Sequence, residues 1–425
     1  MKKLAIAISL ALTTGSVMAS SGTEVAIDDL SSFVNSQYSD NQADVSLTGA
    51  DRNTVTINQD SVSPYGLEGN TAVVGVTNGN GNAVTITQQS SRNEGYVQLN
   101  GSSRNTVSLM QNDENDDAQV KGAGSNGNEV TITQAGPSES DKNEAVVGLV
   151  SADRNNVTIT QGQSNNAGVD IAHSDGNTVT IAQDSGNDGY WGGAYVDIRN
   201  GSDRNNVSIT QEEWNLTELN MGASSHNTIT VTQDRGDEAY IDLMNSNNNG
   251  ITVDQNSASW NLAEVDLRNS NGNTVDVEQN RGNYFGDNGA FVNMRSSNGN
   301  DVAVTQSRRN SADVNLTNSD GNVIGVEQNI NNTADVDLIN SDRNMIIVDQ
   351  NRNNIADVYL RSSDNNDIEV LQNSSTSGAN ISLINSSRNN TNNGGSGIYV
   401  QQTSQDWANV NLVSSNNNSV SIIQN

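Results

Sequence analysis

One side chain recurs along the chain in a way that suggests chemistry. Glutamine stands at Gln59, Gln88, Gln111, Gln134, Gln161, Gln183, Gln211, Gln233, Gln255, Gln279, Gln306, Gln328, Gln350, Gln372, Gln402 and Gln424, each closing a run that reads Asn, any, Val or Ile, any, aliphatic, any, Gln. Asn344-Met345-Ile346-Ile347-Val348-Asp349-Gln350 is one of the sixteen copies. A primary amide offers two N–H donors and one carbonyl acceptor, so identical amides stacked one above another satisfy each other along the stack. The sixteen glutamines are therefore the candidate site, a structural amide ladder. The competing reading treats these residues as turn formers and strand ends. It suits asparagine, which opens fifteen of the sixteen runs with Ser396 in the other, better than glutamine, which has little turn preference.

Other repeated side chains suggest weaker chemistry. Asp313, Asp335 and Asp357 follow one another at 22-residue steps. One coil apart, neighbouring carboxylates would repel by about 0.8 kcal/mol in water. Such a row is either a solvated face that discourages lateral clumping or a place for divalent cations between coils. The Gly-Gly-X-Gly-X-Asp calcium repeat does not occur. Thr178 and Thr180, then Thr228, Thr230 and Thr232, would make a hydroxyl array of the kind an ice-binding face needs, but the same positions become Asp276 and Glu278, Asp301, Val323, and Asp367 and Glu369. His173 and His226 are isolated, and the carboxylates follow the repeat instead of converging, so no catalytic, cofactor or metal residues are assigned and the chain is read as a non-enzyme. A polysaccharide lyase would need basic residues facing an acidic sugar, and this chain is acidic throughout.

The elements that must hold these residues follow from the spacing. Seven of the fifteen intervals between the glutamines are 22 and none is shorter, a period that belongs to solenoids and arrays. Ahead of each copy runs a second alternating segment, as in Ala334-Asp335-Val336-Asp337-Leu338, with Asn332 two residues before it. Period-2 alternation marks a strand with one buried face. Each repeat thus reads strand, turn, strand, turn. The turns are built from Ser341 to Asn344, Ser319 to Asn322 or Ser270 to Asn273, rich in Gly, Asn and Asp that accept positive φ. With only two prolines in the chain, little interrupts the ladders. A two-strand coil buries too little surface alone, so the expectation is an all-β solenoid of about sixteen two-strand coils in cross-β stacking.

Composition bounds the function. The chain has 425 residues, no cysteine, and 50 acidic against 20 basic residues for a formal charge of -30. Nucleic-acid binding, which needs clustered cations, is excluded. No disulfide or thiolate metal site is possible. Lys2 and Lys3, an apolar stretch from Leu4 to Leu12, and Val17-Met18-Ala19 read as a signal peptide over residues 1–19. No later stretch is long and apolar enough for membrane insertion. The expected layout is a leader over 1–19, an N-terminal segment over 20–40, and repeats over 41–425. Insertions gather after the glutamines, at 60–69, 135–142, 184–193 and 280–287, and bring Tyr65, Tyr190, Trp191, Tyr284 and Phe285; Trp214, Trp260 and Trp407 occupy the same turn. They read as tolerated loop excursions or as an adhesive edge for sugars or partner fibres.

The order Asn, five residues, Gln, then a further Asn resembles the curlin repeat of curli fibre subunits, which reads Ser, five, Gln, four, Asn, five, Gln. Gln306, Gln328 and Gln350 match the family's first glutamine, Asn310, Asn332 and Asn354 its internal asparagine, and Asn300, Asn322 and Asn344 stand at its serine. Leu316, Leu338 and Leu360 replace its second glutamine, and sixteen repeats exceed the family's handful. The resemblance implies self-association into an extracellular amyloid fibre serving adhesion and biofilm. It also implies export across both membranes of a Gram-negative bacterium through an outer-membrane secretion pore, a surface nucleator, and secretion targeting by residues 20–40. The last run, Asn418 to Gln424, and the sparse aromatics Phe33 and Tyr38 offer no evident cap, which reads as an end that polymerises. A monomeric extracellular adhesin or ice-binding rod is the alternative.

Overall fold

The computed structural model describes residues 24–28, 41–60, 69–136, 142–186, 193–258, 260–280, 288–389 and 397–425. The chain divides after Trp214 into two units. Residues 1–19, expected to be a leader, most of the 20–40 segment with Phe33 and Tyr38, Ser396, and the insertion aromatics Tyr65, Tyr190, Trp191, Tyr284 and Phe285 lie outside the described residues.

In each unit, strands stack in parallel as a β-solenoid, and no helix occurs among the described residues. The first unit has seven strands carrying the glutamines, from Thr54–Asp60 to Asn206–Glu213, and the second has nine, from Thr228–Arg235 to Val420–Gln424. Their register superposes like on like. In the first unit Val157, Ile159 and Gln161 pair with Val179, Ile181 and Gln183. In the second, Ile324, Val326 and Gln328 pair with Ile346, Val348 and Gln350. A one-residue slip would expose every Val and Ile, so the alternation itself fixes the register. Strand Glu24–Asp28 adds to the first unit, pairing with Thr54–Asp60 through Val25↔Val55 and Ile27↔Ile57.

Burial recurs at every second residue along each wall and at every third round the corner between them. Asn332, Ala334, Val336 and Leu338 are buried, then Ser341, then Asn344, Ile346, Val348 and Gln350. Apolar residues fill the middle of the coil and amides or hydroxyls its corners. This follows from geometry: the coil must turn sharply, and the corner backbone needs polar side chains to satisfy it.

The second wall is less regular than its alternation suggests. Gln42–Thr48 pairs with Thr71–Thr77 over seven residues, and Gly378–Ser382 with Trp407–Asn411 over five. Between these, the strands shrink to pairs such as Glu144–Ala145 and Leu262–Ala263. The chain there enters a left-handed arc, with φ of 67°, 37°, 49° and 52° at Asp337, Leu338, Ile339 and Asn340, and 58°, 66°, 53° and 49° at Asn315, Leu316, Thr317 and Asn318. Each such non-glycine residue costs about 1–2 kcal/mol. Two features offset it. Leu316, Leu338 and Leu360 are fully buried. The arcs also bond coil to coil, with Ile339 N–H donating to Leu316 O at 2.8 Å and Arg361 N–H to Leu338 O at 2.7 Å.

Candidate functional site

The glutamine side chain explains its own constancy once its two donors are followed. In the second unit, Gln328 Nε2 donates to Gln350 Oε1 on the next coil at 2.9 Å and to the backbone carbonyl of Ser311, at the start of its own coil's other wall, at 3.0 Å. Gln350 does the same toward Gln372 Oε1 and Thr333 O. One amide therefore ties coil to coil along the stack and wall to wall across it. Glutamate lacks the donors, and asparagine is a methylene shorter.

These contacts run through every described pair within each unit. In the first, Gln59, Gln88, Gln111, Gln134, Gln161, Gln183 and Gln211 form a row in which each donates to the next at 2.8–3.0 Å. In the second, Gln233, Gln255, Gln279, Gln306, Gln328, Gln350, Gln372, Gln402 and Gln424 do likewise, again at 2.8–3.0 Å. Gln59 to Gln402 are buried.

Three further rows occupy the other corners. The asparagines that open the glutamine strands donate in the opposite axial sense: Asn344 N–H and Nδ2 both reach Asn322 Oδ1 on the preceding coil, at 2.9 and 3.0 Å. Those opening the alanine segment form a second row, with Asn332 N–H on Asn310 Oδ1 at 3.0 Å. Buried serines form the third, with Ser341 N–H on Ser319 Oγ at 2.9 Å and Ser363 N–H on Ser341 Oγ at 2.8 Å. The serine row was missed as a bonding element, although Ser at the head of each Ser-X-X-Asn turn was its signal. The same turn holds Arg343 at φ 56° where a neighbouring coil has Gly321 at 65°; its aliphatic stem lies 3.6 Å from where a Cβ on Gly321 would be.

The outer faces are more varied. Thr158 pairs with Thr180, but Thr180 pairs with Ser208, and Thr252 with Asp276, so the hydroxyl array is broken. Asp313, Asp335 and Asp357 do fall on successive coils. Partial burial, then the nearby Asp313, Asp337 and Asp357 carboxylates, push Asp335 up to about 6. Among the described residues no group of three or more His, Cys, Asp or Glu could hold a metal ion. His173 and His226 are exposed and separate. Trp214 and Trp260 are exposed at the turn after the glutamine, whereas Trp407, expected in the same turn, is exposed at the start of the strand Trp407–Asn411 because its backbone pairs with Gly378 on the preceding coil. The Trp407 ring lies on Gly378 and leaves no room for a Cβ there.

No family model and no curated protein matches the chain.

Proposed function

We propose that the protein is a structural, non-enzymatic subunit of an extracellular curli-like amyloid fibre that serves cell adhesion and the biofilm matrix. The observation that carries this reading is the axial repetition of buried amides in parallel, in-register strands, as in Gln306 to Gln328 to Gln350. Among the described residues, coil after coil presents its glutamine amide upward and downward in the same way. A coil from a second copy can therefore be met by the same bonds, which is how cross-β stacks propagate. The match of Gln328, Asn332 and Asn322 to the curlin repeat adds the fibre family, and with it the secretion pore and surface nucleator as partners. The interruption of the threonine rows by Ser208 and Asp276 tells against an ice-binding surface.

Dilution of residues 20–425 from denaturant tests the reading. Thioflavin fluorescence should rise after a lag that preformed fibre seeds remove. A protein that folds promptly and stays a soluble monomer through prolonged incubation would instead support a free extracellular rod.

A further inference from the structure

The asparagine row that opens the alanine segment shows what its side chains must supply. Asn310 Nδ2 donates to the carbonyls of Gln328 and Asn329, both at 3.1 Å, and Asn332 Nδ2 to those of Gln350 and Asn351 at 3.0 and 3.2 Å. Asn354 Nδ2 reaches Gln372 O and Ser374 O. Where Ser377 continues the row, its hydroxyl donates to Ser404 O at 2.7 Å. Each asparagine thus accepts with Oδ1 and donates hydrogen bonds through Nδ2 to backbone carbonyls, and Ser377 keeps the donation.

Asp116 in the first unit and Asp237 in the second stand in this row and are fully buried. One oxygen of each behaves as asparagine Oδ1 does. Asp237 Oδ1 accepts from Asn261 N–H and Nδ2, both at 2.9 Å, while Asp116 Oδ1 accepts from Asn143 Nδ2 at 2.9 Å. The other oxygen, Oδ2, is buried without a hydrogen-bond partner in both. In the asparagines of this row the corresponding atom is the donor nitrogen, Nδ2.

We propose that Asp116 and Asp237 are carried in the folded coils as neutral carboxylic acids, each Oδ2 hydroxyl donating to a backbone carbonyl in place of the missing amide, and that loss of these protons loosens the coils that hold them. An ionised carboxylate there would bury a charge with one oxygen left without a hydrogen bond, a costly arrangement in a protein interior. Burial pushes Asp237 up to about 8, against the opposing hydrogen bonds of Asn261 and of the Arg235 and Asp234 backbone. It pushes Asp116 up to about 6, opposed by hydrogen bonds of the Asn143 side chain and of the Asn143 and Asp113 backbone, and assisted by the Asp113 charge.

The surrounding charges leave this direction in place. Around Asp237 stand Asp234, Arg235 and Glu238 of its own coil, and the coils on either side meet it with the non-titrating Asn215 and Asn261. Around Asp116 stand Asp113, Glu114 and Asp117, with Arg92 of the preceding coil paired to Glu114 at 3.4 Å and Lys142 of the following coil paired to Asp117 at 3.2 Å. An unfolded aspartate titrates near 4, so the contribution of each proton to stability is full below about pH 4. It is lost as pH rises to about 6 at Asp116 and about 8 at Asp237.

The test compares the full chain with an Asp116→Asn/Asp237→Asn variant and with an exposed control, Asp320→Asn, by denaturant unfolding at about pH 5 and about pH 9. The double variant should lose less stability across that interval than wild type, by tenfold or more in the unfolding equilibrium, while the control tracks wild type. Carbon-13 spectra of aspartate-labelled wild type at about pH 5 should show two protonated carboxyl carbons that the double variant lacks. Parallel pH dependence of wild type and double variant, or two ionised carboxylates at about pH 5, would overturn the proposal.

Discussion

The two walls of a coil are built from the same alternation yet behave differently. The glutamine wall is extended in all sixteen strands, and Val and Ile face inward with Gln at the end of the buried row. The alanine wall keeps a long strand only at Gln42–Thr48, Thr71–Thr77, Gly378–Ser382 and Trp407–Asn411, and elsewhere turns into a left-handed arc after two or three residues. The difference lies in how the ends are held. Asn344 and Gln350 pin both ends of one strand by side-chain bonds to adjacent coils. Asn332 pins only the beginning of the other, and its far end is held by a buried Leu. Hydrophobic burial does not prescribe a backbone direction; an amide bonded on both sides does.

The sharpest way to break this comparison is to charge the pinned wall. Gln328→Glu with Gln350→Glu removes four donors and stacks two buried carboxylates, and should cost more than about 3 kcal/mol in denaturant unfolding and stop fibre growth. Unchanged growth would remove the glutamine row from the account. On the other wall, Leu338→Ala leaves a cavity and should cost about 2–4 kcal/mol while preserving the coil-to-coil amide bonds seen by hydrogen exchange. Thr317→Gly separates the two backbones by sign. In a left-handed arc glycine relieves strain and raises stability by about 1 kcal/mol; in a regular strand it lowers stability by a similar amount. The smallest effect belongs to the outer face. Asp335, raised to about 6 and substantially solvated, loses its contribution as pH rises through that value. Asp335→Asn should therefore flatten the stability profile between about pH 4 and 6 by only a few tenths of a kcal/mol after screening.

The solenoid and its coil-on-coil register were legible because Gln, Val and Ile recur at fixed offsets inside each copy, whatever the length of the turn between copies. The 22-residue unit was readable for the same reason. The second asparagine row was harder to see, since Asp116, Asp237 and Ser377 interrupt it and insertions shift its distance from the preceding glutamine. Alternation could not distinguish the arc from a strand, because Leu338 points inward in either. Arg343 at positive φ was also hidden, because arginine carries no turn signal. The pairing of Glu24–Asp28 with Thr54–Asp60 fell within a segment assigned only to secretion targeting, although Val25 and Ile27 repeat the spacing of Val55 and Ile57.

Oriented fibre X-ray diffraction on the assembled protein tests the central claim most directly. Stacking along the amide rows predicts a strong reflection at about 4.8 Å parallel to the fibre axis, since strands in successive coils and successive copies then share one spacing. A reflection at about 4.8 Å perpendicular to that axis, or its absence from well-ordered fibres, would show that the copies do not join coil upon coil and would contradict the account.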